Sequence, residues 1–358
     1  MRALITGGTG FIGGALANRL LHSGWEVNLL VRPENRHKLD GDQPYQIFEA
    51  SLSDNPEILQ PALHGCDVVF HAAAIRNRWG TSPEAYWQTN VEGTRRLLFA
   101  SLGIVPRFVY VSTVGVFGRP GVLGIDESFP IKPEGGKASY HTTKAEAEEM
   151  VIAAQEEIDT VIVRPTITYG PGDTDGMVTR LIAMLAKGRF LRVGSGRNHI
   201  HLTYIDDLIN GLELAGTHPK ARNEIFVIAG PAPITIQDLN QLIASMLVLP
   251  HPELLQFGIP DPLARAVALA LESGDALLRT IFPALGAVPL ITRDQINTLT
   301  ANRGFSSDKA QQCLDYVPRI GNLEGIHRTI DWMIATGRLP HAVERGKVSP
   351  SPSGKVYE

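Results

Sequence analysis

The chain has 358 residues, which is enough for one large domain or two closely joined ones with a substantial core. It is 44% hydrophobic and 20% charged, and its net charge of −4 argues against a nucleic-acid partner. The two cysteines, Cys66 and Cys313, provide no disulfide framework and are typical of a reducing compartment. No signal-peptide pattern opens the sequence, and no apolar run reaches about 18 residues. We therefore expect a cytoplasmic protein without a transmembrane segment.

Short apolar runs alternate with amphipathic stretches through the first half of the chain. The continuous apolar runs predict buried parallel strands at 2–6, 26–31, 67–73, 107–113 and 159–165. Helical patterns lie between them, near 11–23, 55–64, 83–102 and 140–157. Strands that alternate with helices at this spacing predict an α/β fold, a Rossmann-type doubly wound parallel sheet.

The pattern changes after residue 165, where a helix is predicted at 177–189, a strand at 224–231 and a helix at 235–247 capped by Thr235. We divide the chain into two domains and a tail. Residues 1–165, with 201–229 returning to them, form the predicted Rossmann domain, and 166–200 and 230–340 form a smaller, mostly C-terminal substrate-binding domain. The polar, proline- and serine-rich residues 341–358 are predicted to be a disordered tail.

Residues 260–292 are unusually apolar. They could form a packed lid or core of the small domain, a hydrophobic wall for a lipid-like substrate, or a surface for peripheral membrane contact. Arg265, Glu272, Asp275 and Arg279 interrupt the segment, which favours an amphipathic helix over membrane insertion.

A glycine-rich turn follows the first predicted strand, with Gly7, Gly10 and Gly13 at three-residue spacing where the first helix opens. Glycine permits a tight turn and close backbone approach, and the helix N-terminus offers N–H groups and a positive dipole to a pyrophosphate. This position at the first strand–helix junction predicts dinucleotide binding.

The end of the second strand predicts which dinucleotide is bound. An acidic residue there would bind the ribose hydroxyls of NAD, whereas a basic residue would accept the 2′-phosphate of NADP. The strand ends at Arg32, with Arg36, His37 and Lys38 close behind, and Glu34 lies beyond the strand end. We therefore predict NADP as the cofactor, with NAD as the alternative.

Several further motifs stand in a characteristic order, and their spacing together is specific. They are HAAA (71–74), NVEGT (90–94), VYVST (109–113), Tyr140 with Lys144, RPTITYGPGD (164–173) and YIDDL (204–208). With the glycine turn, they resemble an extended short-chain dehydrogenase/reductase from residue 1 to about 337. Other segments resemble the 3β-hydroxysteroid dehydrogenase/dihydroflavonol reductase-like branch, namely Trp79-Gly80, RVGSGRN (192–198), PLITRDQI (289–296), FSSDKAQQCLDYVP (305–318) and GIHRTIDWM (325–333).

The resemblance implies a set of site residues. Thr113, Tyr140 and Lys144 are the implied catalytic residues, with Asn90 steadying the active-site helix and a proton-relay water. The implied cofactor-binding residues are Gly7, Thr9, Gly10, Phe11, Ile12, Gly13, Arg32, Ser51, Leu52, Ala72, Ala73, Ala74, Tyr140, Lys144, Pro165 and Ile167. The resemblance also implies a homodimer through the helices near 83–102 and 140–157. The chain departs from the family at Ala50-Ser51, where Gly-Asp is frequent, and at Phe117, where a tyrosine is frequent.

The chemistry of this set starts from a tyrosine whose free pKa, near 10, is too high for efficient proton exchange at neutral pH. Because residues four apart share a helix face, Lys144 can place its ammonium near the Tyr140 phenol and lower that pKa. Thr113 would hydrogen-bond the substrate oxygen, a contact worth roughly 2–4 kcal/mol when aimed at a developing alkoxide.

Two features of related enzymes are missing from this sequence, and they narrow the range of possible reactions. Dehydratases of the family carry Asp-Glu after the catalytic threonine, and Val114-Gly115 stand there instead. Ile200 occupies the position where many nucleotide-sugar enzymes place a diphosphate-clamping arginine. We expect interconversion of a secondary alcohol and a ketone on a fairly apolar small molecule. A nucleotide-sugar epimerase with tightly bound NAD and a non-catalytic cofactor-sensing regulator remain the alternatives. His199 and His201 lack a nearby third ligand, so no metal site is predicted.

Overall fold

The computed structural model describes residues 1–39, 43–136, 138–188, 192–247, 249, 258–281 and 292–339. The strands are β1 (Arg2–Thr6), β2 (Glu26–Val31), β3 (Gln46–Glu49), β4 (Val68–His71), β5 (Arg107–Val111), β6 (Asp159–Pro165), β7 (Ile167–Tyr169), β8 (Arg192–Val193), β9 (His199–Ile200), β10 (Leu202–Tyr204), β11 (Glu224–Ile228), β12 (Ile234–Thr235) and β13 (Gly258–Ile259).

The α-helices are α1 (Phe11–His22), α2 (Pro56–Leu63), α3 (Pro83–Tyr86), α4 (Gly93–Ser101), α5 (Tyr140–Ala153), α6 (Met177–Ala186), α7 (Ile205–Thr217), α8 (Ile236–Met246), α9 (Asp261–Ile281), α10 (Arg293–Thr300), α11 (Asp308–Leu314) and α12 (Asn322–Ala335). A π-helical turn, Trp87–Glu92, joins α3 to α4. Short 3-10 helices follow β2, β5 and α7, at Pro33–Lys38, Val114–Phe117 and Pro219–Ala221.

Seven parallel strands form the central sheet in the order β11-β6-β5-β4-β1-β2-β3. The strand order reverses between β1 and β4, which leaves a crevice at their carboxyl ends where ligands bind in such sheets. Helices cover both faces, because α1 and α7 pack in one apolar cluster while α2, α4 and α5 pack in the other. The predicted Rossmann-type doubly wound fold is confirmed.

The strand β3 was not predicted. Its four residues, Gln46–Glu49, are partly or fully exposed, and it lies at the sheet edge beside β2. An edge strand with a polar sequence lacks the continuous apolar run that identifies a strand buried between two helical layers. The helix predicted at 83–102 is present, but the π-helical turn interrupts it. The predicted cap at Thr235 is confirmed, because its hydroxyl accepts the Asp238 N–H at 2.9 Å.

The apolar segment forms the long helix α9 up to Ile281, and residues 282–291 lie outside the described part of the chain. Ala264 and Ala268 are buried against Val193 and Ile296. The acidic interruptions of this helix are buried rather than solvent-exposed, since Glu272 accepts hydrogen bonds from Arg293 and Asp275 accepts one from Trp79.

None of the helices in the described ranges combines the length and apolarity needed to cross a bilayer. The tail predicted at 341–358 lies outside the described residues. The division into two domains, the homodimer, the peripheral membrane contact and the cytoplasmic location stay predictions.

Candidate active site

The glycine turn lies at the carboxyl end of β1, inside the crevice between β1 and β4. Gly7 has a φ of 75° and accepts the Gly10 N–H at 2.9 Å, which closes the turn. A Cβ on Gly7 would stand 2.9 Å from the Ala73 nitrogen, and one on Gly13 would collide with the Gly7 carbonyl. Only glycine therefore allows the first strand, the first helix and the chain after β4 to meet so closely.

The start of α1 suits an anion. Helix α1 begins after Gly10 without a side-chain cap, and its first turn carries no acidic residue. The backbone N–H groups and the positive end of the helix dipole thus remain available to a pyrophosphate. The residues at this end of the sheet fit a dinucleotide, with Thr9 in the turn and Phe11 and Ile12 as the first residues of α1.

A buried, neutral histidine lies behind the glycine turn and contacts Thr6, at the end of β1. His71 is fully buried, with Nδ1 2.7 Å from the Thr6 hydroxyl and Nε2 2.9 Å from the Thr94 hydroxyl. Burial lowers the pKa of His71 to about 3, and the positive charge of Lys144 acts in the same direction. The Thr6 hydroxyl also accepts the Ala73 N–H at 3.2 Å, which ties the Ala72–Ala74 segment to the glycine turn.

The residue predicted to discriminate between NADP and NAD, Arg32, lies at the far end of the crevice. The Arg32 side chain is 59% exposed and its guanidinium lies 3.1 Å from Glu34. Ser51 follows β3 and donates its N–H to Asp54 at 2.8 Å. The sequence analysis did not single out Asp54, and its carboxylate closes the turn that carries Ser51 and Leu52.

Helix α5 begins at Tyr140, because Ser139 caps it by accepting the Thr142 N–H at 3.3 Å. Tyr140 is half-buried, with its ring centroid 6.5 Å from that of Tyr86. Burial raises the pKa of Tyr140 to about 12, and the nearby positive charge of Arg76 opposes this effect. Without a further positive charge, the phenol stays protonated at neutral pH and can donate a proton.

Lys144 lies one turn further along α5, and its side chain is buried with 2% exposure. Its ammonium donates to the Val111 carbonyl at 2.6 Å and lies 4.0 Å from the centre of the Tyr110 ring. Burial lowers the pKa of Lys144 to about 7, while the carboxylate of Glu148 raises it. The expected place of the Lys144 ammonium, beside the Tyr140 phenol and the nicotinamide ribose, stays a prediction.

The lowered pKa of Lys144 predicts a pH-dependent stability in the cofactor-free protein. Between about 7 and the ordinary value of 10.5, the unfolded chain holds a proton on this lysine that the folded chain has lost. Stability contributed by this site therefore rises with pH across that window, by roughly 1 kcal/mol per pH unit. We expect the unfolding free energy of wild type, minus that of Lys144→Met, to rise from pH 7 to 9.5. If urea denaturation gave the same difference between the two proteins at every pH, this prediction would be wrong.

A buried ion pair lies one further turn along α5. Glu148 and Arg164, which lies on β6, are 0% and 2% exposed in their side chains and join through contacts of 2.6–3.2 Å. Arg164 also donates to the Glu127 carbonyl at 3.4 Å, and its guanidinium carbon lies 4.9 Å from the Phe117 ring centre. The sequence analysis did not predict this pair. The available signal was the four-residue spacing of Lys144 and Glu148, which puts Glu148 on the helix face of the site.

Thr113 lies just past β5, and its hydroxyl accepts the Gly115 N–H at 3.0 Å. A Cβ on Gly115 would overlap the ring of His141, whose centroid is 5.0 Å from that of Tyr140. His141 was not predicted as a site residue. Its ring fills the space above Gly115, so the position that carries an acid in dehydratases of the family is occupied by an imidazole from α5.

Asn90 lies in the π-helical turn and connects the loop after β4 to α5. Its side chain accepts the Ile75 N–H at 2.8 Å and donates to the Thr143 hydroxyl at 3.2 Å. The steadying role expected of Asn90 stays a prediction.

The other positions singled out in the sequence have contacts of their own. Phe117 is buried among Phe129 and Phe305, Ile200 is buried, and His201 binds the main chain of Gly230 and Phe305 through both ring nitrogens. Pro165 ends β6, and Ile167 begins β7. Within the described ranges, no three His, Cys, Asp or Glu side chains form a cluster suited to a metal ion.

The fold and the crevice define a dinucleotide-dependent enzyme of the extended short-chain dehydrogenase/reductase type. The model of the NAD dependent epimerase/dehydratase family matches residues 3–229, and the chain belongs to that family. The branch resemblance is confirmed by reductases and sterol dehydrogenases among its relatives.

Three relatives illustrate the branch. A 4-hydroxy-2-methyl-3-oxo-4-farnesyl-3,4-dihydroquinoline-1-oxide ketoreductase of Stigmatella aurantiaca is 32% identical, over 91% of this chain and 95% of the relative. A 2-alkyl-3-oxoalkanoate reductase of Stenotrophomonas maltophilia (strain K279a) is 32% identical, over 92% and 98%. A decarboxylating sterol-4-alpha-carboxylate 3-dehydrogenase of Schizosaccharomyces pombe is 28% identical, over 93% and 98%. Among solved structures, gox2253 superposes with a TM-score of 0.74 at 28% identity, over 94% of this chain and 99% of that one.

Proposed function

We propose that the protein interconverts a secondary alcohol and a ketone on a fairly apolar small molecule, with NADP as the cofactor. The observation that carries the proposal is the half-buried Tyr140 phenol at the start of α5, one turn before Lys144, whose ammonium binds the Val111 carbonyl at the carboxyl end of β5. When bound, the nicotinamide would supply or accept the hydride.

The chain's own residues would handle the proton. Tyr140 donates a proton to the ketone oxygen during reduction and takes it back during oxidation. Lys144 lies one helical turn away, and in its protonated form it can bind the ribose hydroxyls of the cofactor as well as the Val111 carbonyl. Thr113 orients the substrate oxygen by a hydrogen bond.

The cofactor would be held along the crevice. The N-terminus of α1 and the glycine turn bind the pyrophosphate, and Ala72–Ala74 line the nicotinamide ribose side. Arg32 favours the 2′-phosphate of NADP, because it is exposed at the end of β2 and its ion-pair partner Glu34 can exchange with a phosphate. Ser51 and Leu52 would contact the adenosine, and Pro165 and Ile167 would line the remaining wall of the crevice.

The apolar character of the substrate is supported by the relatives. The Stigmatella aurantiaca ketoreductase is named for a farnesyl-bearing 3-oxo compound and the Stenotrophomonas maltophilia reductase for a 2-alkyl-3-oxoalkanoate. A nucleotide-sugar epimerase is the second candidate, since the family includes epimerases. The buried Ile200 at the position of the diphosphate clamp favours the first.

Multiple-turnover assays separate the two candidates. With a panel of apolar ketones, we expect sustained loss of NADPH absorbance at 340 nm and a kcat/KM at least about tenfold higher with NADPH than with NADH, because a guanidinium–phosphate contact contributes about 1.5–3 kcal/mol. An epimerase would instead retain its nicotinamide through purification and consume none. Preference for NADH would refute the cofactor assignment, and absence of net consumption would refute the reaction.

A further inference from the structure

The loop after β4 is fixed next to Tyr140 from two sides. Asn90 accepts the Ile75 N–H at 2.8 Å, and the Tyr86 hydroxyl accepts the Arg78 N–H at 2.9 Å and donates to the Arg78 carbonyl at 3.1 Å. The ring of Tyr86 in turn lies beside the ring of Tyr140. Arg76, one of the two residues between Ile75 and Arg78, therefore has its main chain held beside Tyr86, the neighbour of Tyr140, by contacts that do not involve its own side chain.

The Arg76 guanidinium is a solvent-accessible cation at this place. Its side chain is 57% exposed, it pairs with Asp175, and its Nη1 lies 4.0 Å from the buried Asp173. Its charge also reaches Tyr140, where it opposes the effect of burial on the phenol pKa. A guanidinium has five N–H donors, so donors remain for an incoming anion.

We propose that Arg76 binds a substrate carboxylate on the carbon next to the one that bears the reacting oxygen. The enzyme then prefers 3-hydroxy and 3-oxo acids to the corresponding neutral compounds. This inference rests on the proposed function, because it places the carboxylate relative to the oxygen that Tyr140 protonates. A planar guanidinium matches a carboxylate with two parallel hydrogen bonds. Two relatives are named for compounds with this arrangement, a 3-oxoalkanoate and a sterol-4-alpha-carboxylate oxidised at position 3.

The acidic neighbours decide the type of anion. Asp173 and Asp175 place two carboxyl groups beside Arg76, and they would repel a diphosphate more strongly than a single carboxylate. Asp175 is 40% exposed and can release Arg76 when a substrate carboxylate arrives. The surroundings of Arg76 therefore discriminate against a diphosphate relative to a single carboxylate.

The test uses oxidation, because 3-hydroxy acids are stable. Hydride passes from the carbinol carbon to NADP⁺ and the hydroxyl proton passes to Tyr140 in its phenolate form, which gives a 3-oxo acid, NADPH and the neutral phenol. Initial rates of NADPH formation would be measured for a 2-alkyl-3-hydroxyalkanoate and for its methyl ester. The proteins are wild type, Arg76→Gln, Arg76→Lys and, as a control for loss of one charge from the same loop, Arg78→Gln, whose side chain is 74% exposed.

We expect wild type to prefer the acid to the ester, and Arg76→Gln to lower kcat/KM for the acid about 10- to 100-fold, mainly through KM. The ester should change less than about threefold, Arg76→Lys should recover part of the loss, and Arg78→Gln should change neither substrate by more than about threefold. Equal losses for acid and ester, or no preference for the acid in wild type, would overturn the inference. Turnover of neutral ketones would then still support the proposed function, and absence of turnover with every substrate would overturn both.

Discussion

Replacement of Tyr140 by phenylalanine is expected to lower kcat about 10²- to 10⁴-fold, since it removes the group that exchanges a proton with the substrate oxygen. Affinity for NADPH should stay within about threefold, because the glycine turn and α1 are unchanged and the pyrophosphate contacts carry much of the binding. The two quantities are measured by initial rates at 340 nm and by quenching of tryptophan fluorescence.

Tyr45→Phe is the matched control for this substitution. Its hydroxyl lies 2.5 Å from the Asn18 side chain, on the part of α1 remote from the glycine turn. The control should keep kcat within about twofold, as expected of surface substitutions. A Tyr140→Phe enzyme that retained more than about a tenth of wild-type kcat would remove Tyr140 as the proton donor.

Replacement of Glu148 by glutamine should have the largest effect on stability. The neutral amide keeps one acceptor oxygen for Arg164 but leaves its buried guanidinium without a counter-charge, beside the Glu127 carbonyl and the Phe117 ring. Breaking a buried pair in this way costs about 3–5 kcal/mol. The measurement is guanidinium denaturation followed by tryptophan fluorescence, with the midpoint compared at equal slope.

The exposed pair of Arg2 and Glu26 supplies the control, because Glu26 is 70% exposed and pairs across neighbouring strands of the same sheet. Glu26→Gln should cost less than about 1 kcal/mol. A double variant with Glu148→Leu and Arg164→Met should recover at least half of the lost stability, because an apolar pair leaves no uncompensated charge. If Glu148→Gln cost no more than Glu26→Gln, the buried pair would have no special role in stability.

The local features of this protein could be predicted because they depend on neighbouring residues. The turn at Gly7–Gly13 follows from the backbone freedom of glycine, and the strands that lie between two helical layers follow from continuous apolar runs. The spacing of Tyr140 and Lys144 fixes a shared helix face. Strand β3 was not predicted, because an exposed edge strand has no continuous apolar run.

The amino-acid sequence by itself determined the alternation of strands and helices, the glycine turn and the helix that carries Tyr140 and Lys144. Tertiary structure decided which groups from distant parts of the chain meet around Tyr140 and Lys144. Arg76 reaches Asp175 across 99 residues, and Lys144 donates to Val111 rather than to the residue one turn before it. Burial then lowers the pKa of the Lys144 ammonium, and this effect depends on how the layers of the fold exclude water rather than on any local pattern.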